Sequence, residues 1–91
     1  MNSHAPVILE WGTGPGIQRR AEGRTRVVNF YGCLVQAAQD LGLGQRLRLT
    51  NLANNRSSEA KVVWKGKEGS DGWELGIELL NPGVDFWGLD L

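Results

Sequence analysis

The sequence has little of what most catalytic, metal-binding or membrane-spanning chains depend on. It contains one cysteine and one histidine among 91 residues, and no apolar run approaches the roughly 20 residues that span a bilayer. A lone cysteine forms no internal disulfide and gives a metal site no second thiol. Residues 1–6 show neither the basic start nor the apolar run of a signal peptide. We therefore expect a cytoplasmic protein that has no metal or cofactor and does not insert into a membrane.

Neither the one histidine nor the one cysteine indicates an enzyme. His4 lies near the start of the chain, where residues are often poorly ordered, and Cys33 lies in an apolar run that favours a buried thiol over a reactive one. Cys33 has no evident base beside it, and the acidic residues follow no metal-ligand pattern. We expect no catalytic residues.

An excess of either charge is also absent, because ten basic residues balance ten acidic ones. Nonspecific nucleic-acid binding needs a broad positive field, so no nucleic-acid partner is expected. The charges are nevertheless uneven: Arg19, Arg20, Arg24 and Arg26 surround a single acid, Glu22. This arginine cluster could attract a compact anion.

Thirteen glycines, short apolar runs and no sustained helical periodicity predict strands joined by turns. Alternation of apolar and polar residues predicts inward positions for Trp64 and Trp73. Residues 36–44 are expected to form either a helical turn or a loop across the barrel end. Residues 12–16 and 66–72 are expected to connect strands. The predicted strands are 7–11, 24–30, 32–35, 46–49, 60–65 and 73–79.

Six short strands in so few residues predict an all-β fold, a small antiparallel barrel, since closure hides the sheet edges that a sandwich would leave. We expect one domain over residues 7–91, preceded by a disordered or truncated segment at residues 1–6. In the C-terminal tail, Phe86, Trp87, Leu89 and Leu91 either pack on the barrel and close an open end, or form a docking patch.

Several segments resemble PilZ domains. Residues 46–55, 60–66 (AKVVWKG) and 75–82 (LGIELLNP) are similar to the second half of that family, in the same order. Residues 28–35 (VNFYGCLV) and 85–88 (DFWG) resemble a divergent PilZ-like branch. The resemblance implies a six-stranded barrel, a regulatory role in bacterial signalling and cyclic di-GMP as ligand.

PilZ domains that bind cyclic di-GMP use an Arg-x-x-x-Arg segment before the first strand. An arginine fork makes paired hydrogen bonds to a phosphate or to guanine, and it can stack on a base. Arg20 and Arg24 match this spacing and Arg19 precedes them, although they follow the predicted first strand. The resemblance thus implies Arg19, Arg20 and Arg24 as ligand-binding candidates.

The second ligand-binding element of the family is a turn of the form Asp/Asn-x-Ser-x-x-Gly. Asn29 occupies its first position, Tyr31 replaces the serine, and Gly32 replaces the final glycine if the turn is two residues shorter. Tyr31 could stack on a guanine or pack on the barrel surface. Asn29, Tyr31 and Gly32 complete the candidate site.

Three functions remain open at this point. The first is a non-catalytic signalling module that binds cyclic di-GMP and alters its contacts with a protein partner or neighbouring domain. The second is a degenerate PilZ-like domain that binds only protein. The third is a small-barrel nucleic-acid module, against which the zero net charge and the predicted inward positions of Trp64 and Trp73 both weigh.

Overall fold

The computed structural model describes residues 4–69, 72–81 and 86–88, and these contain strands but no helix. Every strand pairs with two antiparallel neighbours, and the order β1-β2-β3-β6-β5-β4 closes into a barrel. The predicted all-β, six-stranded barrel is therefore confirmed. Among the described residues, no helix is long and apolar enough to cross a membrane. The strands are β1 (Pro6–Gly14), β2 (Ile17–Asn29), β3 (Gly32–Ala37), β4 (Arg46–Asn51), β5 (Arg56–Gly69) and β6 (Gly72–Leu79).

The barrel interior is filled by alternate residues of all six strands, as a period of two residues dictates. Leu9, Val35 and Leu75 are fully buried there. Cys33 also belongs to this core, which confirms the expected buried thiol. Burial of these side chains is the main source of stability in so small a domain.

Two hairpins are longer than the sequence indicates. β1 continues to Gly14 and β2 begins at Ile17, so the turn shrinks to Pro15 and Gly16, where Gly16 has a positive φ of 75°. The prediction of a connection at residues 66–72 is wrong, because β5 continues to Gly69 and pairs with Gly72. Glycine and charge in these segments suggest loops, but cross-strand pairing outweighs such local preferences.

The segment between β3 and β4 crosses the end of the barrel as a loop and contains no helical turn. Leu41 from this loop is buried in the core. Asp40 forms an ion pair with Lys65 of β5, and the backbone N–H of Gly44 donates a hydrogen bond to the carbonyl oxygen of Val62 at 2.7 Å. Of the two alternatives for residues 36–44, the loop is therefore correct for the residues after Ala37, where β3 ends.

Trp64 lies on the outer surface, so its predicted inward position is wrong. A β-bulge between Val62 and Trp64 inserts Val63 as an extra residue, which reverses the alternation beyond it. Trp64 consequently remains 48% exposed. Trp73 packs against the core as predicted.

The described part of the C-terminal tail packs on the barrel, as predicted. Phe86 and Trp87 are both buried and belong to the core. The side-chain amides of Asn51 and Asn54 each donate a hydrogen bond to the backbone oxygen of Phe86 at 3.1 Å. Leu89 and Leu91, which were expected to pack with them, lie outside the described residues.

Candidate functional site

The turn between β2 and β3 is organised by the side chain of Asn29. Its Oδ1 accepts hydrogen bonds from the backbone N–H groups of Tyr31, at 2.8 Å, and Gly32, at 3.0 Å. Asparagine favours this arrangement because its short side chain can replace a backbone acceptor in a turn. Tyr31 is 66% exposed, and its ring meets the Phe30 ring edge to face. Asn29, Tyr31 and Gly32 are thus brought together, as the sequence indicates.

Gly32 is required by the close approach of strand β6. A Cβ atom at this position would overlap the backbone carbonyl oxygen of Ile77. The backbone N–H of Leu79 also donates a hydrogen bond to the carbonyl oxygen of Tyr31 at 2.8 Å. The glycine therefore has a structural role that is independent of any ligand.

A shallow groove of about 530 Å³ lies beside this turn on the outer face of the barrel. Val27, Leu34 and Gly76 of its lining belong to one line of paired residues, in which Val27 faces Leu34 and Leu34 faces Gly76. The line continues from Gly76 to Trp64, which lies next to the groove and does not line it. We call Val27, Leu34, Gly76 and Trp64 the outer row. Gly76 is buried, because Trp64 occupies the space that a side chain at this position would need: a Cβ atom there would lie 2.9 Å from the Trp64 Cβ.

The groove is apolar, and among the described residues that line it only Glu78 is charged. Val27, Val63 and Tyr31 contribute exposed apolar surface. Cys33 contributes from beneath, and burial raises the pKa of its thiol to about 12, so the thiol stays protonated and inert. This surface suits apolar contacts more than it suits an anion.

The predicted arginines lie away from the turn. A strand advances about 3.3 Å per residue, which places Arg20 about 30 Å and Arg24 about 16 Å from Asn29 along β2. Arg19 is one residue further from the turn, and all three side chains are exposed. Arg24 turns toward the residues that precede β1, where its Nη1 donates a hydrogen bond to the backbone oxygen of His4 at 3.4 Å.

Arg20 belongs to a different surface, a line of alternating charges across four strands. It pairs with Glu10 of β1, which pairs with Arg48 of β4, which in turn pairs with Glu59 of β5. Opposite charges on neighbouring strands attract each other, and here each base lies next to an acid. This neighbourhood weakens the field that Arg20 could offer to an anionic ligand.

Arg26 is the arginine nearest to the groove, and the sequence interpretation did not include it in the site. A bulge between Thr25 and Val27 directs Arg26 outward, where its Nη1 lies 3.1 Å from Oε2 of Glu74. Together with Trp64 these two side chains line a second depression of about 640 Å³ beside the outer row. The sequence does show that Arg26 lies only three residues before Asn29. It does not reveal the bulge that directs Arg26 outward.

Within the described ranges, no group of three His, Cys, Asp or Glu residues is placed to hold a metal ion. Comparison of the chain with protein-family models, with curated proteins and with solved structures finds no significant match.

Proposed function

We propose that this chain is a non-catalytic regulatory domain of the PilZ type that acts by protein–protein contact through the outer groove. The observation that carries the proposal is the composition of this groove, which is apolar and has Glu78 as the one charged residue among those of its lining that the structure describes. Contiguous exposed apolar surface is characteristic of protein interfaces. The sequence resemblance supplies the family, and the barrel with its Asn29 turn is compatible with it.

Charge favours a protein over a cyclic dinucleotide as the occupant of the groove. Two phosphates would call for arginine or lysine forks within hydrogen-bond distance. The part of the groove lining that the structure describes contains no base, and Arg20 lies about 30 Å from Asn29 along the strand. The Glu78 carboxylate would repel a phosphate that approached the turn.

The closed barrel also limits how a partner can bind. At the floor of the groove, β3 and β6 are paired on both sides, so a partner cannot add a strand there. Contact must therefore be made by side chains, and Val63 and Trp64 are the large apolar groups exposed beside the groove on β5.

Cyclic di-GMP is the second candidate, and one observation favours it. Arg26 and Trp64 line the depression next to the groove, where a guanine could stack on the indole and the guanidinium could reach a phosphate. Arg26 would have to exchange its ion pair with Glu74 for the ligand, which is feasible because its side chain is 52% exposed. On this alternative Arg26, and not Arg20, is the ligand arginine.

Exposure of Trp64 weakens one of the two arguments against a nucleic-acid module, because of the two tryptophans only Trp73 packs against the core. The balanced charge remains, because backbone phosphates are held mainly by an excess of Lys and Arg. A protein partner therefore remains the better proposal.

Calorimetric titration with cyclic di-GMP, repeated as a thermal shift, separates the two candidates. We expect no heat and no rise in Tm, since a ligand that binds the folded state must stabilise it. Saturable binding would overturn the protein-only proposal. Loss of that binding in Arg26→Ala, but not in Arg20→Ala, would then assign the site to the second depression.

Photo-crosslinking provides the positive test. A photoreactive residue at Val63 is compared with one at Leu52, which is similarly exposed, at 43% against 47%, but does not line the groove. In cells that produce the protein natively, we expect a protein adduct from position 63 and none from position 52. Absence of any adduct at position 63 would contradict the proposal.

A further inference from the structure

We propose that one edge of strand β2 binds an extended, acidic segment of another protein as an additional strand. The edge consists of residues 17–22, which we call the free edge, and it contains Arg19 and Arg20. The inference goes beyond the proposed function, because this surface is separate from the outer groove and neither depends on the other.

The free edge has a neighbouring strand on one side only. Residues 17–24 of β2 pair with β1, whereas β3 pairs with β2 only from Gly23 onward. Among the described residues, no backbone hydrogen bond reaches residues 17–22 from the other side. β1 in turn pairs with β4 only over Val7–Glu10, so residues 11–22 form a two-stranded ribbon beyond the closed part of the barrel. An unpaired strand edge of this kind is a template for pairing with another chain.

Alternation along β2 identifies the backbone groups that are open at this edge. The N–H of Thr25 points toward β1, since it donates a hydrogen bond at 3.0 Å to the carbonyl oxygen of Ala5, directly before that strand. In an antiparallel pair, the N–H and C=O groups of alternate residues point to the same side. Those of Gln18, Arg20 and Glu22 therefore point away from β1, and all three residues are exposed. Each offers a partner strand one donor and one acceptor.

Charge defines the chemistry of the strand that fits there. The line of alternating charges across the barrel runs from Glu59 through Arg48 and Glu10, and it ends at Arg20. Arg20 thus has an acid on its β1 side and no described strand on its other side. An added strand continues the alternation if it places an acid opposite Arg20, because opposite charges on neighbouring strands stabilise the pairing.

Arg19 extends this preference to the other face of the ribbon, because successive residues of a strand point to opposite faces. Both arginines are exposed, and neither forms an ion pair within the described ranges. Arginine suits this role because its planar fork binds a carboxylate through paired hydrogen bonds. Two adjacent acids on the partner strand can therefore meet one arginine each.

The same arginines disfavour a second copy of this chain as the added strand. If two free edges pair in antiparallel fashion about residue 19 or residue 20, that arginine lies opposite its own copy, which destabilises the pair. Centring the pair on Ala21 brings Arg20 opposite Glu22, but it drives the second copy into β3, which occupies this side from Gly23 onward. Centring it nearer to the turn at residues 15 and 16 leaves fewer residues facing each other. An acidic partner meets none of these obstacles.

Titration of the purified chain with a blocked hexapeptide tests the proposal. The peptide has two central glutamates flanked by valine and threonine, and its control has lysines in place of the glutamates. We expect the acidic peptide to bind, Arg19→Glu to weaken binding at least about tenfold, and the matched control Arg46→Glu, at an exposed arginine of β4, to leave binding unchanged. Thermal unfolding verifies that both variants fold. No binding at millimolar peptide, equal binding of the lysine peptide, or equal effects of the two variants would overturn the inference.

Amide hydrogen exchange tests whether the bound peptide adds a strand. In the free chain, the N–H groups of Gln18, Arg20 and Glu22 should exchange faster than those of Arg19 and Ala21, which point toward β1. The acidic peptide should slow exchange at the three open positions. Unchanged exchange there, in spite of binding, would show that charge alone holds the peptide and that no strand is added.

A proline at position 18 tests the backbone independently of charge. Gln18→Pro removes one open N–H and keeps both arginines, and the ladder to β1 does not use this N–H. We expect weaker peptide binding by Gln18→Pro than by the matched control Gln18→Ala. Equal affinities of the two variants contradict strand addition. A concentration-dependent dimer of the wild type that is lost in Gln18→Pro would assign the edge to a second copy and refute the acidic partner.

Discussion

The indole Nε1 of Trp87 donates a hydrogen bond to the backbone carbonyl oxygen of Asn29 at 3.0 Å. The same asparagine holds the turn after β2 through its side chain, because its Oδ1 accepts from the N–H groups of Tyr31 and Gly32. One residue thus connects the C-terminal tail to the edge of the outer groove. Substitutions at either end of this connection should lower the stability of the barrel.

Replacement of Trp87 by phenylalanine removes the indole donor and keeps an aromatic ring. We expect a loss of about 1–3 kcal/mol in the free energy of unfolding, from the lost hydrogen bond and the smaller buried ring. Urea unfolding measures it. The matched control is Trp64→Phe, at a half-exposed position, which should cost less than about 0.5 kcal/mol. Equal losses would show that the Asn29 contact contributes little.

Substitution of Asn29 by alanine leaves the N–H groups of Tyr31 and Gly32 without their acceptor. We expect destabilisation by about 1–2 kcal/mol, whereas Asn29→Asp keeps an acceptor oxygen and should remain within about 0.5 kcal/mol of wild type. Chemical denaturation compares the three proteins. The turn interpretation is wrong if aspartate and alanine prove equally damaging.

The barrel could be predicted from the sequence because each strand is indicated by residues that are close together in the chain. Alternation in residues 73–79 identifies β6, and six apolar runs separated by turn residues give the strand number. The order of residues that resembles PilZ domains is compatible with the same six strands. Strand ends were less predictable, since β2 begins at Ile17 within a polar, charged stretch.

The candidate site could be predicted only in part. Asn29 and Gly32 were found through their resemblance to a family turn pattern, which spans only a few residues. The distance from Arg20 to that turn depends on the whole length of β2, and the outward position of Trp64 depends on a bulge that adds a single residue. A shift of register by one residue moves a side chain to the opposite face of the sheet, and amino-acid composition does not reveal such a shift.

Replacement of Gly32 by alanine should disrupt the pairing of β3 with β6. The added Cβ would overlap the Ile77 carbonyl oxygen, and backbone on both sides would have to move. We expect a loss of about 3 kcal/mol or more, measured by thermal or urea unfolding. Gly42→Ala is the matched control, because nothing lies within 4 Å of its Cβ position. It should be neutral or slightly stabilising. Similar stability of the two variants would refute the steric role of Gly32.

The buried thiol of Cys33 predicts how stability changes at alkaline pH. Burial raises its pKa from 9.0 to about 12, so between these values the unfolded chain has released the proton and the folded chain has kept it. The unfolded state then binds fewer protons, and stability falls as pH rises, by up to about 1.4 kcal/mol per pH unit. Below about pH 8 the thiol is protonated in both states and contributes no pH dependence.

Urea unfolding of wild type and Cys33→Ala between about pH 7 and pH 11 measures this contribution. Tyrosine and lysine also titrate at high pH, but they do so in both proteins, so the difference between the two curves isolates the thiol. We expect the wild type to lose stability more steeply than the variant above about pH 9. In the folded wild type, a thiol reagent should react with Cys33 only as fast as the barrel opens. Parallel pH curves, together with rapid labelling at neutral pH, would show that the thiol is accessible from the groove and that its pKa is not raised.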